Sequence, residues 1–197
     1  MLADSAVFVY DYVDPLSYLV HRIMVEEAGE AFATSGTGME LIAMELRPPP
    51  EAFLAPDDPD FAERWAVMED ELGRGVADRP IVIPWTRKAH ELRALAESKE
   101  IGHEVHHGLF RAFFEEGQDI GRVDVLVSLA ASAGLERSET KAVLDVDKFA
   151  GPIEEERRRA LGMGLSRAPA VVAGDERMES WEGRDAVLRC LASLRHP

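Results

Sequence analysis

The chain opens on an unbroken apolar run, Ala6-Val7-Phe8-Val9-Tyr10, set between polar neighbours. Such a run of β-prone residues predicts a buried strand. The period then changes. Leu16, Leu19, Val20 and Ile23 fall on one helical face, Asp14 offers an N-cap oxygen, Pro15 suits the first helical position, and the stripe stops near Gly29. Met39 to Leu46 is strand-like again and ends at Pro48-Pro49-Pro50, because proline cannot donate to a sheet ladder. The opening therefore predicts β-α-β.

From about Pro56 to Met163 the apolar positions keep helical spacing, with breaks at Gly73-Arg74-Gly75, Pro80 to Pro84, Gly117, Gly134 and Gly151-Pro152. A helical block of roughly 100 residues exceeds any simple crossover. Helix starts are expected at Thr86 ahead of Arg87 to Leu95, at Arg122 or Asp124 before a run through Ala131, and at Ser138 before Glu139 to Leu144. Phe110, Phe113 and Phe114 read as core or as a wall facing the rest of the fold. Strand character returns in Ala168 to Ala173, a turn follows at Gly174-Asp175, and an extended piece around Met178-Glu179-Ser180 completes a hairpin. A last helix is expected from Gly183 to Leu194. The order is β-α-β, a helical insert, then β-β-α.

A length of 197 residues supports one domain or one domain with a large insertion, and 46% apolar with 30% charged residues is ordinary globular composition. The 22 basic and 37 acidic residues leave a net charge of -15, which repels nucleic-acid backbones and anionic lipid surfaces. Glu154-Glu155-Glu156 followed by Arg157-Arg158-Arg159 predicts ion pairs at i,i+3 and i,i+4 on a solvated helix face. Met1 to Ser5 lacks the basic and apolar regions of a secretory leader, so the expected location is cytoplasmic. The single cysteine, Cys190, sits among Val187, Leu188 and Leu191, where a buried inert thiol is expected.

Three stretches resemble one family. Val9-Tyr10-Asp11-Tyr12-Val13-Asp14-Pro15-Leu16-Ser17-Tyr18-Leu19 is similar to the strand, active-site turn and helix start of DsbA-like (disulfide-bond formation protein A) proteins, where Cys-Pro-x-Cys precedes an aromatic and a leucine. His106-His107-Gly108-Leu109-Phe110-Arg111-Ala112-Phe113-Phe114 through Ile120 resembles the family's insert helix. Leu161-Gly162-Met163-Gly164-Leu165-Ser166-Arg167-Ala168-Pro169 through Val172 resembles the approach to its cis-proline strand. The resemblance implies an α/β, thioredoxin-like fold with an all-helical insertion, residues 1–55 and 164–197 forming the thioredoxin part and 56–163 the insert. The nearest flavour is the branch of FrnE-type proteins, 2-hydroxychromene-2-carboxylate isomerases and kappa-class glutathione transferases.

The resemblance also implies where the chemistry sits. Asp14 and Ser17 stand at the two cysteine positions, and neither a carboxylate nor a hydroxyl can form or break an S–S bond. The family's activity is thiol–disulfide exchange; this site is expected to be non-redox. Glutathione is the cofactor the isomerase and transferase branch implies, yet a carboxylate at position 14 would raise the pKa of a neighbouring thiol. Pro15, Ala168 and Pro169 are the implied substrate-binding positions, the Ala168-Pro169 peptide being cis in the family. Asp185, after Glu182-Gly183-Arg184, stands where the transferases hold a γ-glutamyl group.

Simpler readings stand beside these. Capping alone accounts for Asp14, Pro15 and Ser17 together, and Asp185 suits the first turn of any helix. His103 and His107 are spaced to share a helix face, but without an H-E-x-x-H pattern a metal is not expected. No phosphate loop, dinucleotide fingerprint or nucleophile elbow is present. The functional expectation is a non-redox site for a small thiol or hydrophobic acid, with glutathione possible. The alternative is a non-catalytic module that docks a peptide or a second copy of itself as a homodimer.

Overall fold

The computed structural model describes residues 6–29, 39–48, 55, 57–73 and 76–194. Its chain order is β1 (Ala6–Tyr10), α1 (Pro15–Ala28), β2 (Met39–Ala43), α2 (Pro59–Leu72), α3 (Arg87–Glu97), α4 (Gly102–Phe114), α5 (Val123–Ser132), α6 (Arg137–Asp145), α7 (Ala150–Gly162), β3 (Ala170–Ala173), β4 (Glu176–Met178) and α8 (Arg184–Leu194). The sheet runs β2-β1-β3-β4. β1 pairs parallel with β2, Phe8 opposite Leu41, and antiparallel with β3, Phe8 opposite Val171. This is a thioredoxin-like mixed sheet of the DsbA type, with six helices standing between β2 and β3 among the described residues.

The sheet is buried on both faces, which is why β1 reads as a continuous apolar run rather than an alternating one. Ala6, Phe8 and Tyr10 point into a core shared with α1, α3, α4 and α8. Val7 and Val9 point the other way, against Ile42, Ala160, Leu165 and Ala170. Phe110 of α4 is wholly buried, its ring 5.9 Å from Tyr10, 5.1 Å from Tyr12 and 5.9 Å from Tyr18. The helices after β2 therefore share one core with the strands.

Several local expectations are corrected. β2 ends at Ala43, short of Leu46, because the Leu46 N–H donates to the Asp11 carboxylate at 2.6 Å instead of to a neighbouring strand. Thr86 precedes α3 without a side-chain cap bond, and Ser138 lies inside α6, whose cap is Glu136 accepting from the Glu139 N–H at 2.7 Å. Gly151-Pro152 is no break; both lie in the first turn of α7, where proline's missing N–H costs nothing. The hairpin's second strand is Glu176–Met178, slightly earlier than expected. Pro49, Pro50 and Arg74-Gly75 fall outside the described residues.

The acidic and basic runs of α7 divide their work. Arg157 and Arg158 pair with Glu154 and Glu155 at i,i+3 as the spacing predicts. Arg159 instead reaches Glu40 on β2, and Glu156 turns inward to meet Arg93 at 2.5 Å. Arg93 is buried to 1% exposure, and Glu156 also accepts from the Ala43 N–H at 2.9 Å, so one ion pair fastens α3, α7 and the end of β2. Cys190 is buried and burial pushes its thiol up, the state of an inert cysteine.

Replacing Phe110 by Ala removes a ring at the junction of β1, α1 and α4 without altering charge. Urea unfolding of the F110A variant should show a loss of about 3–5 kcal/mol. A loss under about 1 kcal/mol would show that the strands and the inserted helices do not share this core.

Candidate functional site

The site is assembled at the start of α1. After β1 the chain turns through Asp11 to Val13, with the Asp14 N–H donating to the Asp11 carbonyl at 3.2 Å. The Asp14 carboxylate then caps α1, accepting from the Leu16 N–H at 3.4 Å and the Ser17 N–H at 3.0 Å. Ser17 Oγ donates to Asp14 Oδ2 at 2.6 Å and accepts from the Asp11 N–H at 3.3 Å. Pro15 occupies the first helical position as expected and is buried. Both Asp14 and Ser17 have no exposed surface. Neither oxygen group faces solvent.

A carboxylate in that position needs a cation, and α2 delivers one. Asp58 caps α2 and Pro59 begins it, while Phe61, Trp65 and Met68 form its buried stripe. Arg64, at the margin of that stripe, donates through Nη1 to Asp14 Oδ1 at 3.0 Å and to the Ala168 carbonyl at 3.1 Å, and through Nε to Asp60 at 3.0 Å. The Ala168–Pro169 peptide is cis. One guanidinium thus joins the start of α1, the loop entering β3 and its own helix.

Charge balance at the pair follows from burial. Desolvation pushes Asp14 up to about 6, against the opposing pull of Arg64 and of the Ser17 hydrogen bond. Burial also works against the Arg64 charge, but the Asp14 and Asp60 carboxylates overcome it and hold the guanidinium above its usual range. At neutral pH the pair is ionised, and the carboxyl is the half that changes state.

Asp14, Ser17, Pro15, Ala168 and Pro169 are therefore brought together, the sequence-expected group minus one. Asp185 is not with them. It lies exposed at the start of α8, next to Arg184, which pairs with Glu26 and Glu27 at the far end of α1. Twelve helical residues separate Glu26 from Asp14, about 18 Å along the axis. The residue that sequence reasoning missed is Arg64. Its only signal is its place beside Trp65 on an amphipathic helix, which says nothing of which carboxylate it will meet.

Beside Ala168 opens a cleft of about 380 Å³, lined by Met44, Glu45, Leu46, Asp60, Arg64 and Ala168 among others. Behind α1 lies a cluster of imidazoles and phenols. His106 Nδ1 is 3.0 Å from the Tyr12 hydroxyl, and His21 Nε2 is 3.1 Å from His107 Nδ1. Burial holds His21 and His106 well below the usual imidazole range, so both are neutral. His107 is thus engaged with His21. Among the described residues no group of three or more metal-ligating side chains converges, and no helix is long and apolar enough to cross a membrane.

The family model described as DSBA-like thioredoxin domain matches residues 6–192. The protein YwbO of Bacillus subtilis, itself uncharacterized, is 29% identical over 194 residues, covering 92% of both chains. The cytosolic disulfide reductase DsbM of Pseudomonas aeruginosa, solved with GSH, superposes with a TM-score of 0.72 at 15% identity, covering 97% of this chain and 99% of that one. A 2-hydroxychromene-2-carboxylate isomerase does so with the same TM-score and identity, over 96% and 94%. The two solved neighbours are a disulfide reductase and an isomerase, and the family supports a function of the thiol–disulfide oxidoreductase or isomerase kind.

The Asp14 carboxyl should titrate with a midpoint near about 6 when followed by its side-chain ¹³C shift, and R64Q should move that midpoint upward by removing the cation. Because the folded midpoint stands above the unfolded one, the stability Asp14 confers is full below about pH 4 and fades as pH rises through about 6. D14N lacks that decline, so its stability relative to the natural chain should grow between pH 4 and 7. A native midpoint at the ordinary aspartate value, or no response to R64Q, would contradict the buried pair.

Proposed function

We propose that this chain, which belongs to the DSBA-like thioredoxin domain family, binds a small organic acid or thiol conjugate in the cleft beside Ala168 and handles it without redox chemistry. The observation that carries this reading is the Arg64 bridge. Where a redox relative presents sulfur between the first helix and the cis-proline loop, this chain presents a guanidinium held from below by Asp14 and from the side by Ala168.

Thiol–disulfide exchange needs a thiolate to attack and a sulfur to leave. Asp14 and Ser17 supply oxygen, and Cys190 is a buried thiol on α8. What remains for a ligand is a set of N–H donors, since Asp14 and Asp60 already offset the Arg64 charge. Arg64 lines the cleft, its Nε and Nη1 are committed to the protein, and Nη2 makes no hydrogen bond among the described residues. A fixed guanidinium with donors to spare is the preferred partner of a carboxylate. Asp14, wholly buried beneath it, is a positioning residue that keeps the guanidinium in place and does not itself meet the ligand.

The neighbour solved with GSH supports a peptide-like thiol as one ligand, since glutathione carries two carboxylates. On this reading a carboxylate of the ligand, rather than its thiol, sits at the start of α1. The isomerase neighbour supports acid substrates in the same fold.

Thermal-shift and calorimetric titrations with reduced glutathione and with 3-phenylpropionate should show millimolar or tighter binding by at least one, and R64Q should weaken it about tenfold or more, the worth of a charged hydrogen bond. Insulin reduction should be absent in the natural chain and measurable in the D14C/S17C double variant. Binding of neither compound would remove the acid-site reading; a natural chain that reduces insulin would remove the non-redox one.

A further inference from the structure

The cleft beside Ala168 is lined by arginines besides Arg64, in a chain whose overall charge is -15. Arg157 of α7 and Arg167 of the loop before β3 also line it, with Ser166 between the two walls. The carboxylates on the same walls are already engaged. Asp60 accepts from Arg64 Nε at 3.0 Å, and Glu45 pairs with Arg87. Among the described residues Arg157 pairs with the half-buried Glu154, at 3.5 Å through Nη1, and makes no hydrogen bond. The Arg167 side chain is exposed and makes no hydrogen bond or ion pair among the described residues.

A guanidinium on the wall of a cleft with no hydrogen-bonded acceptor of its own can donate through its terminal N–H groups to an anion there. The cleft, about 380 Å³, is within the range of small-molecule sites of roughly 300–1,000 Å³. We propose that Arg157 and Arg167 hold a second anionic group of the ligand, so that the site selects small dianions, one carboxylate on Arg64 and a second carboxylate or phosphoryl-type group on the other two arginines. This rests on the acid-binding reading of the same cleft and adds to it the ligand's second charge. Ser166 provides a neutral donor for the same group. Glu154, Glu45 and Asp60 are the acids near it; Glu45 pairs with Arg87, Asp60 shares Arg64 with Asp14, and Glu154 pairs with Arg157 and Arg87, which leaves Arg167 as the cleft arginine without a carboxylate partner among the described residues.

Calorimetry with three probes tests this: glutarate, its monomethyl ester, and 3-phosphonopropionate. The natural chain should bind at least one dianion about tenfold more tightly than the ester, and the R157Q/R167Q double variant should lose that advantage while keeping its affinity for the ester. Loss confined to glutarate assigns a carboxylate to the second position, and loss confined to the phosphonate assigns a phosphoryl-type group. R64Q should weaken all three probes. Equal affinity for all three probes, unchanged in the double variant, overturns the dianion inference while leaving the Arg64 reading intact. Failure of the ester to bind as well overturns both.

Discussion

A carboxylate with no exposed surface at the start of a helix has to be compensated, and in this protein everything around the site follows from how that is done. The two N–H groups of α1 and the Ser17 hydroxyl satisfy Asp14 locally, but a buried charge also needs a counter-charge. Arg64 provides it at 3.0 Å, and in doing so brings α2 across the mouth of the first helix and onto the Ala168 carbonyl. The desolvation that lifts Asp14 to about 6 measures how dry this junction is. The inserted helices are therefore part of the site as well as a cover over it.

The same union of sheet and helices recurs in the core. Tyr10 and Tyr12 leave the end of β1 and are met by His106 and Phe110 from α4, with ring centroids 4.6–5.9 Å apart. Burial keeps His21 and His106 uncharged, so they pack as polar aromatic rings. On the opposite side, the buried Arg93–Glu156 pair reaches the Ala43 N–H at the end of β2. Two buried ion pairs, Asp14–Arg64 and Arg93–Glu156, thus hold helices from the middle of the chain to the start of α1 and to the end of β2. Such pairs contribute less to net stability than to fixing which helix meets which.

Solved neighbours at 15% identity share this fold with a TM-score of 0.72, and in this chain the groups at the mouth of α1 are the Asp14 carboxylate and the Ser17 hydroxyl. A guanidinium fixed beside a buried carboxylate serves, on the proposed reading, as a receptor for anions where the family's dithiol would handle sulfur. On the proposed reading, the fold's inherited cleft is retained and its selectivity passes from thiols to acids.

Much of this was legible in the chain itself. The apolar run at β1, the Asp14-Pro15 start of α1 and the glycine-bounded helices are local signals, because capping and periodicity depend on neighbours a few residues apart. The three family-like stretches carried the topology and placed positions 14, 17, 168 and 169 together. Local signals misjudged places where a distant side chain intervened, as when Asp11 captures the Leu46 N–H and shortens β2. The helix start that carries Asp185 is tied through Arg184 to Glu26 and Glu27 near the C-terminal end of α1, a contact between distant segments that no local pattern announces. The partner of Asp14 lies 50 positions away on a helix with no motif of its own. Hydrophobic periodicity says that Arg64 borders a buried stripe, but only the packing of α2 on α1 decides which buried charge it must neutralise, since Coulomb attraction depends on distance in space and leaves no pattern along the chain.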